Sequence, residues 1–136
     1  MYAQIMIHHD YVWARTPFLA PMAATIARRR PSAAFVAHRL DGLAKLLFGH
    51  LREEERLLVG DASAAVTLIG NGMIDDHLMI ATALDEIRDA VARWTHPSVL
   101  EQRLGNELAA LDEHIQAQFA LEEMYVAARI GAREYA

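Results

Sequence analysis

Between residues 36 and 57 the chain sets Val36, Leu40, Leu43, Leu47, His50, Glu54 and Leu57 at alternating steps of four and three. An α-helix turns through about 100° per residue, so this spacing holds all seven side chains on one stripe. Such a stripe turns toward a core packed from other helices. The composition agrees: Ala and Leu dominate, while Gly and Pro are few and clustered, which favours helix over strand. Two members of the stripe are not apolar. His50 and Glu54 stand one helical turn apart, and burying an unpartnered carboxylate is costly. A metal ion shared by the two side chains would be one partner; an i,i+4 pair at the edge of the stripe, reaching water, is the other reading.

Pro and Gly divide the chain into four helical stretches. The first covers residues 2–30 and contains Pro17 and Pro21. Proline removes a backbone donor and clashes with the preceding turn, so this helix should kink or break near Pro17, with Thr16 as a cap. Ser32 can cap a second helix that ends at Gly60. Residues 61–71 form a connector with room for a short helical turn. A third helix follows over residues 73–94, before Thr95-His96-Pro97 breaks the chain. Ser98 and Glu101 read as a capping box heading a fourth helix over residues 98–130, with a frayed tail at 133–136. Long helices joined by short connections predict a single domain over residues 1–136, an up-down-up-down four-helix bundle.

The other stripes repeat the intrusion seen in the second. Met73, His77, Ile80, Leu84, Ile87, Val91 and Trp94 form a stripe broken by His77 alone. Leu104, Leu108, Leu111, His114, Gln118, Glu122 and Tyr125 share a face whose middle turns are polar. Ile5, His9, Val12, Thr16, Leu19 and Ile26 line up on the first helix, with His8 to one side beside Tyr11 and Arg15. Each helix thus offers one histidine in a largely apolar face. Bundle cores that bind metal are built from side chains converging in this way. Imidazole and carboxylate without thiolate suit iron, manganese or zinc.

Composition removes several alternatives. There is no cysteine, so disulfides and thiolate-held zinc or iron–sulfur clusters are excluded. The formal net charge is −5, and the one dense basic run is Arg28, Arg29 and Arg30. That run closes a helix, where it suits the helix dipole, and it lacks the breadth of a nucleic-acid-binding face. No apolar run approaches the ~20 residues that span a bilayer, and residues 1–10 lack the pattern of a signal peptide. The cytoplasm is the default address. Nothing forms a hydrolytic triad or a phosphate-binding loop. His38 reads as a surface residue, His96 as a loop residue, and Trp13 and Trp94 as packing residues.

Taken together, these motifs resemble the hemerythrin-like family of HHE cation-binding domains. Leu47 to Leu58, with His50 four residues before Glu54-Glu55 and apolar residues after, looks like the family's second-helix motif, His-x-x-x-Glu-Glu. Asp76-His77-Leu78 looks like its third-helix acidic-His signature, and Leu111 to Ile115 ahead of Glu122-Glu123 like the fourth. His8-His9-Asp10 falls where the family has its first-helix histidine. The resemblance covers essentially the whole chain. It implies a non-haem di-iron site with His9, His50, His77 and His114 as terminal ligands and Glu54 as a bridge. In such sites the iron meets dioxygen or nitric oxide, follows redox state, or is simply held.

Two positions depart from the pattern. One turn after His77 stands Ala81, where a second histidine is common, and four and five residues after His114 stand Gln118 and Phe119 in place of a carboxylate. Glu122 fills the carboxylate role if the register moves one turn, with Gln118 then in the histidine's place. Alternatively His114 and Glu122 both point inward, two turns apart. The functional expectation is a metal-binding protein with a di-iron or single-ion centre, Tyr125 or Gln118 donating to a bound ligand. An oxidase or peroxidase using the same site is a further reading. The alternative of a different class is a metal-free bundle acting through protein contacts, as a homodimer or with a protein partner.

Overall fold

The computed structural model describes residues 1–135, with 132–135 described by their backbone alone. The frayed end expected at 133–136 therefore lies outside the fully described residues. Every regular element among the described residues is helical: α1 (Tyr2–Arg15), a 3-10 turn (Thr16–Phe18), α2 (Leu19–Ala27), α3 (Ala33–Leu57), α4 (Ala62–Gly70), α5 (Met73–Ala92) and α6 (Val99–Tyr135).

Local chemistry sets the boundaries. Pro17 lies at the head of the 3-10 turn, where its missing N–H costs nothing, and the flanking Arg15 and Phe18 keep right-handed helical angles. The expected caps at Thr16 and Ser32 make no side-chain bond to the backbone, and the buried Thr16 hydroxyl has no partner. Asp61 does cap: its Oδ1 accepts from the Ser63 and Ala64 amides at 2.9 and 3.1 Å. The presumed connector is therefore a nine-residue helix, α4. Gly72, at φ +90°, supplies the left-handed turn into α5. The capping box forms reciprocally, Ser98 N donating to Glu101 and Glu101 N to the Ser98 hydroxyl, each at 3.2 Å. Arg30 closes the same corner, donating to Glu101 at 3.1 Å and to the Thr95 carbonyl at 2.7 Å.

In packing, α1 lies against α6, α2 against α3 and α6, α3 against α5, and α5 against α6. The buried apolar residues fall into two clusters. The larger includes Val12, Leu47, Leu51, Ile80, Leu84, Leu108 and Phe119. The smaller is Ile5, Leu58, Ala65, Leu68, Met73 and Val126. On α1 the order is Ile5 of the smaller cluster, His9, then Val12 of the larger; on α5 it is Met73, His77, Ile80 in the same sense. Along α3 it reverses, Leu51 then Glu54 then Leu58, and along α6 it reverses again as Phe119, Glu122, Val126. A layer of buried polar side chains thus separates two apolar layers.

Candidate metal centre

Five side chains from four helices make that layer. His9 comes from α1, His50 and Glu54 from α3, His77 from α5 and Glu122 from α6. His9, Glu54 and Glu122 have no solvent exposure, and His50 and His77 are buried. Donor atoms of His50, Glu54, His77 and Glu122 all lie within 4.8 Å of one another, a group that can hold a metal ion. His50 Nε2 and His77 Nε2 lie 3.0 and 3.1 Å from the same oxygen, Glu54 Oε2, and His77 Nε2 is 3.3 Å from Glu122 Oε2. Donors bound to one ion by bonds of about 2.1 Å sit roughly 3.0–3.4 Å apart, so the spacings fit. His9 faces the opposite oxygens, at 2.9 Å from Glu122 Oε1 and 3.7 Å from Glu54 Oε1.

The far nitrogens of these histidines meet a second set of acids. His9 Nδ1 is 3.2 Å from Glu55 Oε1, which also accepts from Trp13 Nε1 at 2.7 Å. His50 Nδ1 is 3.2 Å from Asp76 Oδ2. His77 Nδ1 faces Glu123 at 3.6 Å, beyond hydrogen-bond distance. A proton on Nδ1 held by a carboxylate leaves the Nε2 lone pair turned inward, the tautomer that binds metal. Phe119 lies flat on the His77 ring, centroids 3.7 Å apart, and fixes its plane.

Inside the layer the polar atoms satisfy one another only in part: His9 Nε2 pairs with Glu122 Oε1 at 2.9 Å and His77 Nε2 with Glu54 Oε2 at 3.1 Å. His50 Nε2, Glu54 Oε1 and Glu122 Oε2 are buried without a hydrogen-bond partner, as are both amide atoms of Gln118. Orphaned buried polar atoms are rare in folded proteins, and here they share a centre whose donor types suit a divalent cation. The metal-free electrostatics carry the same strain. Burial pushes the Glu54 carboxyl well above its ordinary range, and the neighbouring Glu122 adds to the push. Burial acts the same way on Glu122, but its close polar contacts with Glu54, His77 and His9 prevail and hold it well below that range. The two carboxylates therefore hold a proton between them. Burial would depress His9, yet the hydrogen bond and charge of Glu122, then those of Glu55, raise it. Burial and the adjacent His77 depress His50.

Of the sequence candidates, His9, His50, Glu54, His77 and Glu122 are brought together, and His114 is not. The His114 ring stacks on Tyr11 at 3.6 Å and its Nδ1 lies 2.9 Å from His8 Nδ1, toward the surface. The reason is helical phase. His114 precedes Glu122 by eight residues, which turns it about 80° away, whereas Leu111, Ile115 and Gln118 fall within about 40°. Ile115 is buried in its place, and Gln118 is fully buried one turn before Glu122. Tyr125 is not a site donor, since its hydroxyl donates to the Leu58 carbonyl at 3.0 Å. The spacing of the stripes alone missed the outer acids Glu55, Asp76 and Glu123; each stands next in sequence to an inner ligand candidate, which was the available signal.

On the outer side of α3 an open cleft of about 580 Å³ borders His50 and Asp76. No helix among the described residues is long and apolar enough to cross a membrane. Comparison with known protein families, with curated proteins and with solved structures found no match.

Proposed function

We propose that the chain is a hemerythrin-like protein that holds non-haem iron in its polar layer and serves to sense dioxygen, nitric oxide or redox state, or to hold the iron itself. The observation that carries the reading is the convergence of three imidazoles on two fully buried carboxylates, with inward-facing atoms left unpartnered. We read the architecture as an up-down-up-down four-helix bundle with its first helix broken at Pro17. The alternating order in which α1, α3, α5 and α6 meet the two apolar layers supports this, because antiparallel neighbours traverse a layered core in opposite senses.

His50, Glu54, His77 and Glu122 would hold a first ion. His9 faces the other oxygen of each carboxylate, an arrangement suited to carboxylates that bridge toward a second, less well-furnished position. Iron would supply an open coordination position and one-electron redox chemistry. The protein's contribution is to exclude water, to fix the Nε2 lone pairs and to hold the carboxylates ionised against it.

The test is elemental analysis of the protein as purified and after anaerobic loading with ferrous iron, with absorption spectra before and after air or nitric oxide. Iron bound stoichiometrically, with a ligand-to-metal band that responds to either gas, is the expected result. Protein that retains no metal under either condition sinks the reading and leaves the metal-free interaction module.

A further inference from the structure

Gly49 is a glycine without a conformational reason. It lies in the interior of α3 with an ordinary helical backbone, since Gly72 alone among the glycines has a positive φ. A Cβ added at Gly49 would meet nothing within 4 Å, so no neighbour demands its absence. Glycine inside a helix lowers its stability relative to alanine, a cost Gly49 shares with Gly42 of the same helix; what sets Gly49 apart is its place on the cleft. What the missing side chain leaves is space. Gly49 lines the 580 Å³ cleft together with Leu46, His50, Glu53, Asn71 and Asp76.

Of the five side chains of the candidate centre, His50 is the one that lines the cleft. Its Nδ1 is held by Asp76 Oδ2 at 3.2 Å, while the Asp76 side chain remains 37 % exposed. Glu53 is steadied at the rim by Asn71 Nδ2, which donates to it at 2.6 Å. The one cation lining the cleft, Lys45, is paired with Asp41 at 3.0 Å. A cation arriving there meets two carboxylates and then an imidazole whose inner nitrogen is unpartnered. His9, Glu54 and Glu122, by contrast, are sealed at zero exposure.

We propose that this cleft is the route by which a divalent cation reaches and leaves the centre, and that Gly49 keeps it open. The inference rests on the metal-centre reading above. It concerns passage, so its signature is a rate without a matching change in affinity. Leucine at position 49 continues the helix and extends into the cleft, slowing binding and release together.

Gly42 offers a matched control. It is also an exposed glycine inside α3 with nothing within 4 Å of an added Cβ, but it does not line the cleft. The experiment follows cobalt(II) binding to the metal-free protein by stopped-flow absorbance, and its release to excess chelator. Gly49→Leu should slow both at least tenfold with the dissociation constant within twofold of wild type, while Gly42→Leu leaves both unchanged. Gly49→Leu loading at the wild-type rate would overturn the route. So would a loss of affinity at an unchanged loading rate, which would make Gly49 a determinant of site geometry. Equal slowing in Gly42→Leu would also overturn it, by tracing the effect to helix rigidity. Wild-type protein that binds no cobalt at all fails at the earlier step, the metal centre itself.

Discussion

Glu54 has no solvent exposure, and its ion-pair partners are all histidines. A free glutamate in an unfolded chain ionises near pH 4.3, whereas burial and Glu122 keep the folded Glu54 protonated to higher pH. Between those two values the unfolded state binds fewer protons, so this group makes the metal-free fold less stable as pH rises. Glu54→Gln should remove that cost. It is expected to stabilise the metal-free protein above the free carboxyl's range while abolishing metal retention. Urea unfolding at pH 6 and 8 alongside metal content checks both halves; a variant less stable than wild type at both values contradicts the burial argument. Asp76 acts one step further out, on the His50 tautomer. Asp76→Ala should weaken metal binding about 10- to 100-fold with helix content unchanged, and chelator competition giving the wild-type constant would deny it that role. The buried polar layer was legible because a His or Glu inside an apolar stripe is conspicuous, as at His50, Glu54 and His77. His114 was misplaced because two successive steps of three, 108 to 111 to 114, drift off the helical period. The outer acids were hidden because Asp76 serves His50 across the helix pair rather than its neighbour His77.

At the scale of elements, the sequence announced helices where side chains bind their own backbone or where proline interrupts it. The Ser98–Glu101 box and the break at Pro17 are of that kind. α4 was not, because its length depends on Asp61 capping and on Ala65 and Leu68 packing into the smaller apolar cluster, which no local pattern reveals. Thr16 and Ser32 had the right composition for caps but no free amide in reach, having helical dihedrals on both sides or at their own position. The box at the head of α6 is worth measuring, because Arg30 fastens α2's exit to it. Ser98→Ala should cost about 1 kcal/mol of unfolding free energy by chemical denaturation. No loss would mean that the Arg30 contacts alone hold that corner.

Across the whole molecule, the polar layer divides a core that would otherwise be continuous. The apolar layers above and below carry the hydrophobic stabilisation, and the layer between them subtracts from it unless a cation is bound. Saturation at a hundredfold excess over the dissociation constant adds about 2.7 kcal/mol, which for a chain of this length is a Tm increase on the order of 10 °C. Scanning calorimetry of iron-loaded and chelator-stripped protein should show it; coincident transitions would mean that the folded state does not bind the ion in preference to the unfolded chain. The alternation of layer order along the helices was implicit in the four stripes, but which residues met across them was not.

His9 and Glu122, 2.9 Å apart in the fold, are separated by 113 positions in the chain. A ribosome adding about 5–20 residues per second delivers the second of them roughly 6–20 s after the first. Until α6 has emerged, α1, α3 and α5 present His9, His50, Glu54 and His77 without Glu122. On the metal-centre reading, the full set of inner side chains exists only once α6 has been translated. On that reading the newly made protein first stands as the less stable metal-free form, open to proteolysis until a cation binds.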